Sequence, residues 1–325
     1  MRVVHGLTQV HSASPSYVTI GVFDGVHRGH QRLITDMVKE AHLADSTAVL
    51  LTFEPHPAVT LRAEDDHPPK PPLLLTTVEE RAELLAALGL DLLVVLSFTT
   101  DTVRIPAIDF VDMLMRHLHM AELWGGADFA LGHRREGDMP FLRRLGEERG
   151  FSVRIVAPFA WEGDLVSSSR VRAALRAGDM RQARGCLGRP YRLSGVVEEG
   201  HLDDSTSGPI VTLSPPPERL IPACGVYACL AHAEHVGTHP AVTAIENLSA
   251  SERAAGSHSH VPTTDQERVI KAQLADTDAD LRDQTLELDF LARLQEEQAA
   301  FYRPRISNEY PNSDSRAVDA PGLSY

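Results

Sequence analysis

The chain has 325 residues, enough for two domains of ordinary size, and is 43% hydrophobic and 23% charged, as a protein with a real core should be. Lys and Arg number 31 against 45 Asp and Glu, a net charge of −14. That balance argues against a general nucleic-acid binder, which needs surplus positive charge, and leaves room only for a local basic pocket of nucleotide size.

No apolar run reaches the ~18 residues of a membrane span, so no membrane partner is expected. The opening MRVVHGLTQVHSAS has no apolar signal-peptide core. Cys186, Cys224 and Cys229 are odd in number and sparse, which suits buried thiols in a reducing cytoplasm better than a disulfide framework.

Up to about residue 188, short apolar runs alternate with amphipathic segments. Tyr17–Val22, Ala48–Phe53, Asp91–Phe98 and Ser152–Val156 read as strands. Helices are predicted over His30–Ala44, Thr77–Leu88, Ile108–His117, Asp138–Arg149 and Ser168–Leu187. Thr77 and Glu80 have capping-box spacing, and Gly178 breaks the last helix. This alternation predicts an α/β domain, 1–187, with a parallel sheet between helices. From 188 to 302 the reading is a smaller antiparallel β domain. Its strands are Tyr191–Val197, Ile210–Leu213, Gly225–Ala231 and Thr285–Asp289, and a helix over Leu291–Phe301 closes it. Residues 249–280 read as a polar insertion or a disordered stretch, and 303–325 as a flexible tail.

Four segments of the first domain carry chemistry. In GVFDGVHRGHQRLI, Gly21–Ile34, a strand ends, a glycine turn follows and a helix begins. Helix N-termini at the carboxyl ends of parallel strands favour phosphate. Gly25 and Gly29 allow close approach of an anion. His27 and His30, three apart, can face one phosphate, although two surface histidines beside a turn would show the same pattern. TFEPHP, Thr52–Pro57, puts His56 between prolines at a strand end, as a pocket wall or a plain exit turn. In WGGADFALGHRREGD, Trp124–Asp138, Phe129 can pack on a flat ring and Asp128 can hold a metal through water. Arg134 and Arg135 suit phosphate there, unless the loop is simply solvated. VSSSRVR, Val166–Arg172, opens a second helix whose Ser167 or Ser168 is an N-cap, with Arg172 one turn in.

In this order and spacing the four segments resemble the prokaryotic bifunctional riboflavin kinase/FMN adenylyltransferase (FAD synthetase) family. GVFDGVHRGH carries its H-x-G-H signature. TFEPHP, the G-x-D-F-x-x-G stretch and S-S-S-R-V-R-x-x-L match further blocks, and GDMRQARGCLGRPY, Gly178–Tyr191, resembles its interdomain junction. The resemblance covers residues 1–195 well and implies a Rossmann-like nucleotidylyltransferase domain. By carry-over, His27, His30 and Arg172 are catalytic. Gly21, Phe23, Asp24, Gly25, Gly29, His56, Asp128, Phe129, Ser168 and Ser169 bind nucleotide and flavin. The partners implied are the small molecules ATP and FMN, with Mg²⁺. Where the family often reads D-F-R-F-G, Ala130 and Leu131 replace the Arg and the second Phe.

GRPYRLSGVVEEG, CGVYACLA and LELDFLARLQEEQAAF resemble the family's riboflavin kinase domain, which folds as a barrel. The motif G-F-P-T-A-N between the first two is missing, since Ser207–Pro216 reads SGPIVTLSPP. D-L-Y-G is missing as well. The resemblance therefore implies transfer of AMP from ATP to FMN, with positive groups (two histidines, two helix starts and Arg134, Arg135, Arg170 and Arg172) converging on the phosphates, and with kinase activity lost. Three alternatives stay open: a bifunctional enzyme with a diverged kinase site, a transferase for another phosphate acceptor, and a non-catalytic flavin- or nucleotide-binding regulatory paralogue. HAEHVGTH and SHSH have no compact metal-site spacing.

Overall fold

The computed structural model describes residues 1–10, 14–62, 71–201, 208–247 and 268–306. The chain forms two compact units: Met1–Tyr191 with Pro217–Pro222, and Arg192–Pro216 with Ala223–Tyr325. Among the described residues no helix is long and apolar enough to cross a membrane.

The first unit is built on six parallel strands: β1 (Arg2–His5), β2 (Ser16–Ile20), β3 (Thr47–Glu54), β4 (Leu92–Ser97), β5 (Met120–Gly126) and β8 (Ser152–Val156). Their spatial order is β1-β4-β3-β2-β5-β8. Alternate residues of β3 and β4 pack on opposite faces. Val49, Leu51, Val94 and Leu96 join one core, and Ala48, Leu50, Leu93 and Val95 the other. Burial of both faces is why these strands read as unbroken apolar runs. Helices α1 (Arg28–Leu43) and α3 (Val78–Ala87) cover one face through Ile34, Met37, Val38, Ala41 and Leu85. Helices α5 (Ala107–Leu118) and α6 (Met139–Arg149) cover the other through Val111, Leu114, Leu118, Leu142 and Leu145. Between these lie two short helices, α2 (Pro57–Arg62) and α4 (Thr100–Val103), that the sequence reading did not include.

The four predicted strands of this unit are present, and the sequence reading missed two more of its six-stranded sheet. One is β1. The other, β5, carries Glu122 in its interior, which masks it as a strand. Glu122 is buried at the strand because its carboxylate accepts from Trp124 Nε1 at 3.0 Å and from Arg154 Nε at 3.3 Å. The predicted break at Gly178 is real. Helix α7 (Ser168–Ala177) ends there with φ 73°, and α8 (Met180–Leu187) restarts with Asp179 as its N-cap. Two small hairpins complete the unit: β6 (Ala130–Leu131) with β7 (Gly137–Asp138), and β9 (Ala160–Trp161) with β10 (Asp164–Leu165).

The second unit is a closed antiparallel barrel of six strands, in the order β11 (Tyr191–His201), β12 (Ile210–Ser214), β15 (Arg268–Leu274), β14 (Gly237–Asn247), β13 (Gly225–Ala233) and β16 (Thr285–Arg293). Two of these correct the sequence reading. Strand β14 contains Pro240, which argues against a strand. Strand β15 lies inside the stretch read as a polar insertion, yet Ile270, Ala272 and Leu274 are buried while Val269, Lys271 and Gln273 between them are only half-buried. Residues 249–267 of that stretch lie outside the described residues. The closing helix, α9 (Glu296–Ile306), begins later than predicted because β16 runs on to Arg293, and it takes in 303–306 of the expected tail. Cys186 and Cys229 are buried, whereas Cys224 precedes β13 and is only half-buried.

Candidate active site

Strand β2 has β3 on one side and β5 on the other, so the chain reverses direction across the sheet between β2 and β5. Such a switch point opens a crevice at the strands' carboxyl ends. A cavity of about 800 Å³ lies there, lined by Thr19–Phe23 at the end of β2 and just beyond it, and by Gly125 and Gly126 at the end of β5. The start of α1 supplies His27, Gly29 and His30 to its wall.

The turn feeding α1 is tightly wound. Phe23 (φ 52°), Gly25 (φ 78°) and Val26 (φ 40°) all lie in the left-handed region. For non-glycine residues that strain is of order 1–3 kcal/mol each, and it persists only where the surroundings impose it. Phe23 and Val26 are imposed on by burial in the core. The carbonyls of the turn are also held. Thr52 Oγ1 donates to Val22 O at 3.1 Å, Ser168 Oγ to Asp24 O at 2.9 Å, Arg189 Nη2 to Gly25 O at 2.9 Å and Gln31 Nε2 to Val26 O at 2.8 Å.

His27 is the N-cap of α1, and its Nδ1 accepts from the His30 N–H at 3.3 Å. A neutral His27 therefore carries its proton on Nε2. The two rings stack with centroids 3.6 Å apart, 19° from parallel, and Phe23 meets the edge of His30 at 4.9 Å. Burial, reinforced by Arg189, pushes His27 down to about 4. Burial, then the neighbouring His27 and Arg81, holds His30 well below the usual imidazole range. Both rings are neutral at pH 7. This corrects the expectation that they add positive charge: they are hydrogen-bonding groups. His30 Nδ1 is buried with no partner.

Several carried-over residues stand behind the cavity rather than on its lining. Asp24 is 2% exposed and accepts from Leu75 N and Thr76 N, each at 3.0 Å, and from Thr76 Oγ1 at 3.2 Å. It is ion-paired with Arg172, and Arg81 lies 4.0 Å away. Arg172 Nε also donates to Leu73 O at 2.7 Å. Arg172 is thus tied to the protein through Nε and Nη2, and the hub of Asp24, Arg81 and Arg172 carries a buried net charge of +1. Gly25 N donates to Thr76 Oγ1 at 3.0 Å. Ser167 caps α7, Ser169 is exposed, and Arg170 is drawn to the carbonyls of Trp161 and Asp164. None of these is a lining residue. Nor is His56, whose Nδ1 accepts from Ala58 N at 3.1 Å while burial lowers its pKa.

The structure brings Gly21, Phe23, His27, Gly29, His30, Asp128 and Phe129 together on one cavity, with Arg134 and Arg135. Arg135 Nη2 donates to Asp128 O at 2.7 Å, which orders this loop. One carboxylate among these lining residues faces two arginines, a local positive balance in a chain of net −14. Leu131, where a second Phe stands in the resemblance, is buried in the core and borders the cavity. Other aromatics that the sequence reading did not single out line it: Phe53, Phe98, Phe110 and Phe159. Phe53 and Phe98 meet edge to face at 5.1 Å and 75°. Their signal was positional, since both stand at the carboxyl ends of core strands.

A family model described as FAD synthetase matches residues 9–170, and one described as riboflavin kinase matches residues 187–302. The Escherichia coli bifunctional riboflavin kinase/FMN adenylyltransferase is 33% identical over 255 residues, 75% of this chain and 80% of the relative. The Pseudomonas fluorescens protein of the same description is 31% identical over 303 residues, 92% of this chain and 91% of the relative. A crystal structure described as a macrolide-efflux protein from Streptococcus pneumoniae is 22% identical. It has a TM-score of 0.77, covers 94% of this chain and 97% of its own, and bears on the fold alone. With both halves matched and relatives aligned over most of their length, the chain belongs to the bifunctional riboflavin kinase/FMN adenylyltransferase family.

Proposed function

We propose that the first unit transfers AMP from ATP to FMN, giving FAD and pyrophosphate, and that the second unit no longer phosphorylates riboflavin. The observation that carries the first half is the stacked His27–His30 pair at a helix start, on the wall of a cavity lined by aromatics. An FMN phosphate oxygen attacks the α-phosphorus in line, the new P–O bond forms, and the bond to the β-phosphate oxygen breaks as pyrophosphate leaves. No protein nucleophile is required, because the attacking phosphate already carries charge. The protein aligns two polyanions and stabilises charge as it develops. The Nε2–H of a neutral His27 is a donor for that charge, the dipole of α1 adds partial positive charge, and Arg134 and Arg135 offset repulsion.

Mg²⁺ is ordinarily held by one or two carboxylates together with substrate phosphates and water. Among the described residues no cluster of three metal-ligating side chains exists. Asp128, the lone acid on the lining, fits that sparse requirement. Bound with the triphosphate, Mg²⁺ would neutralise phosphate charge.

Loss of the kinase is supported by what replaces its motif. Set on Gly208, the Thr and Asn of G-F-P-T-A-N fall at Val211 and Leu213, which are apolar and buried. The nearest counterpart of D-L-Y-G is Asp280–Asp283, D-L-R-D, where Arg282 folds back onto Asp280. Phosphoryl transfer depends on placing metal and phosphates, and these side chains place neither. The second reading, a bifunctional enzyme, is favoured by the riboflavin kinase match over residues 187–302. One assay separates the two. Purified protein with ATP and Mg²⁺ is given FMN or riboflavin, and the products are resolved by chromatography. FAD from FMN, and no FMN from riboflavin, is the expected outcome. FMN formed from riboflavin overturns the loss of the kinase, and absence of FAD from FMN overturns the transferase.

A further inference from the structure

Residues Pro217–Pro222 lie between two barrel strands in sequence, yet fold as part of the first unit. Glu218–Leu220 runs parallel to Leu74. Leu74 N donates to Glu218 O at 2.7 Å, and Leu220 N donates to Leu74 O at 2.9 Å. Leu220 is 1% exposed, and Arg219 is fully buried. The Arg219 guanidinium pairs with Glu80 and hydrogen-bonds Tyr191, over whose ring it sits at 5.9 Å. Tyr191 donates in turn to Leu220 O at 2.6 Å. Glu80 is the capping-box residue of α3, accepting from Thr77 N at 3.0 Å.

The segment held in this way, Leu73–Thr77, is the one that grips the catalytic turn. Leu75 N and Thr76 N donate to Asp24, Thr76 Oγ1 accepts from Gly25 N, and Leu73 O accepts from Arg172. Leu75 also packs directly on Gly25, where an added Cβ would come within 2.7 Å of its Cδ1. Two residues after Gly25 the turn delivers His27.

Resting on the transferase reading above, we propose that Pro217–Pro222 is a working part of the adenylyl-transfer site, and that Arg219 is a positioning residue acting through Glu80 and Leu73–Thr77 on the Asp24 hub and so on His27 and His30. Arg219 falls within the span that matches the riboflavin kinase description, 187–302, but its side chain serves the first unit. That gives the chain a reason to keep this stretch whatever has become of kinase chemistry.

The test uses full-length R219M and R219K. Misplacement of reacting groups by about 1 Å can cost on the order of 10²-fold in rate. R219M should therefore lower kcat for FAD formation at least ~10-fold while the KM for FMN stays within about two-fold, and R219K should recover most of the loss. A folded R219M with wild-type kcat overturns the proposal. A second readout is independent of turnover. In NMR titrations the His27 ring, near 4 in the intact protein, should move toward 6.5 in R219M. Unchanged ring titrations overturn the proposal even if the wild-type chain makes no FAD, a failure that would count only against the transferase reading. If R219M does not fold, Y191F removes the hydrogen bonds to Leu220 and Arg219 while Glu80 still pairs with Arg219. It should lower kcat about three-fold by the same argument, and a wild-type kcat overturns the proposal.

Discussion

His27 and His30 stack face to face, with centroids 3.6 Å apart, and the Nδ1 of the first accepts the backbone N–H of the second. One hydrogen bond thus caps the helix, fixes a tautomer and aims a ring. Two charged imidazoles could not sit this close in the free protein, and burial keeps them neutral. An arriving triphosphate brings the charge that makes donation by these rings worthwhile.

His27→Ala removes both the cap and the donor. The loss of kcat should be about 10²-fold or more, the scale of one deleted oxyanion donor. His27→Asn can still cap α1, so it should keep the helix but not the rate. Steady-state FAD synthesis by the two variants checks this, and a near-normal kcat in either removes His27 from the mechanism.

The same burial makes stability depend on pH. The folded-state value for His27, about 4, lies below its unfolded value of about 6.5, so the unfolded chain takes up the proton first as pH falls. Stability is therefore full above 6.5 and declines between 6.5 and 4, by about 3 kcal/mol from this residue. His30 and His56 are shifted in the same direction. Denaturant midpoints of the ligand-free protein should fall across that window, and H27N should flatten the curve. Superimposable pH profiles for the two proteins would refute this account.

Asp24→Asn keeps the shape of the hub and removes its only negative charge. Arg172 and Arg81 would then be two buried cations without the carboxylate that lies between them. Breaking a buried pair in this way costs about 3–5 kcal/mol. Chemical unfolding of D24N against wild type reads that number. A loss under about 1 kcal/mol would mean that water or a neighbouring group already compensates the two arginines.

The hub also marks where sequence reading stopped. Strands buried on both faces, such as Ala48–Phe53, declare themselves as continuous apolar runs, and a capping box or an H-x-G-H turn is written within a few adjacent residues. The pairing of Asp24 with Arg172 joins residues 148 apart, and that of Glu80 with Arg219 joins residues 139 apart. Nothing local distinguishes such an arginine from one that meets phosphate, and only the packed chain shows Arg172 held by Asp24 and Leu73. The neutrality of the histidines was hidden for a related reason, because desolvation is a property of the packed state. Strand β15 escaped notice because its polar outward residues follow a polar stretch, so a half-buried alternation read as no pattern at all.

Phe98 tests whether the FMN of the proposed reaction packs on the aromatics that line the cavity. It is half-buried, stands just after β4, and meets Phe53 edge to face. Its backbone O accepts from Thr60 Oγ1 at 2.6 Å, so the main chain there stays held when the ring is removed. An aromatic contact of this kind contributes about 0.5–1.5 kcal/mol beyond the apolar area it covers, and together these amount to roughly ten-fold in affinity. If the isoalloxazine packs on these rings, Phe98→Ala should raise the KM for FMN about ten-fold and leave kcat within about two-fold, because the contact is the same in the ground and transition states. The KM for ATP should not change. Quenching of flavin fluorescence on titration with the variant gives the affinity directly. An unaltered FMN affinity would place the ring system on the Phe129 side of the cavity instead, where the replacement by Leu131 leaves that phenylalanine to stack alone.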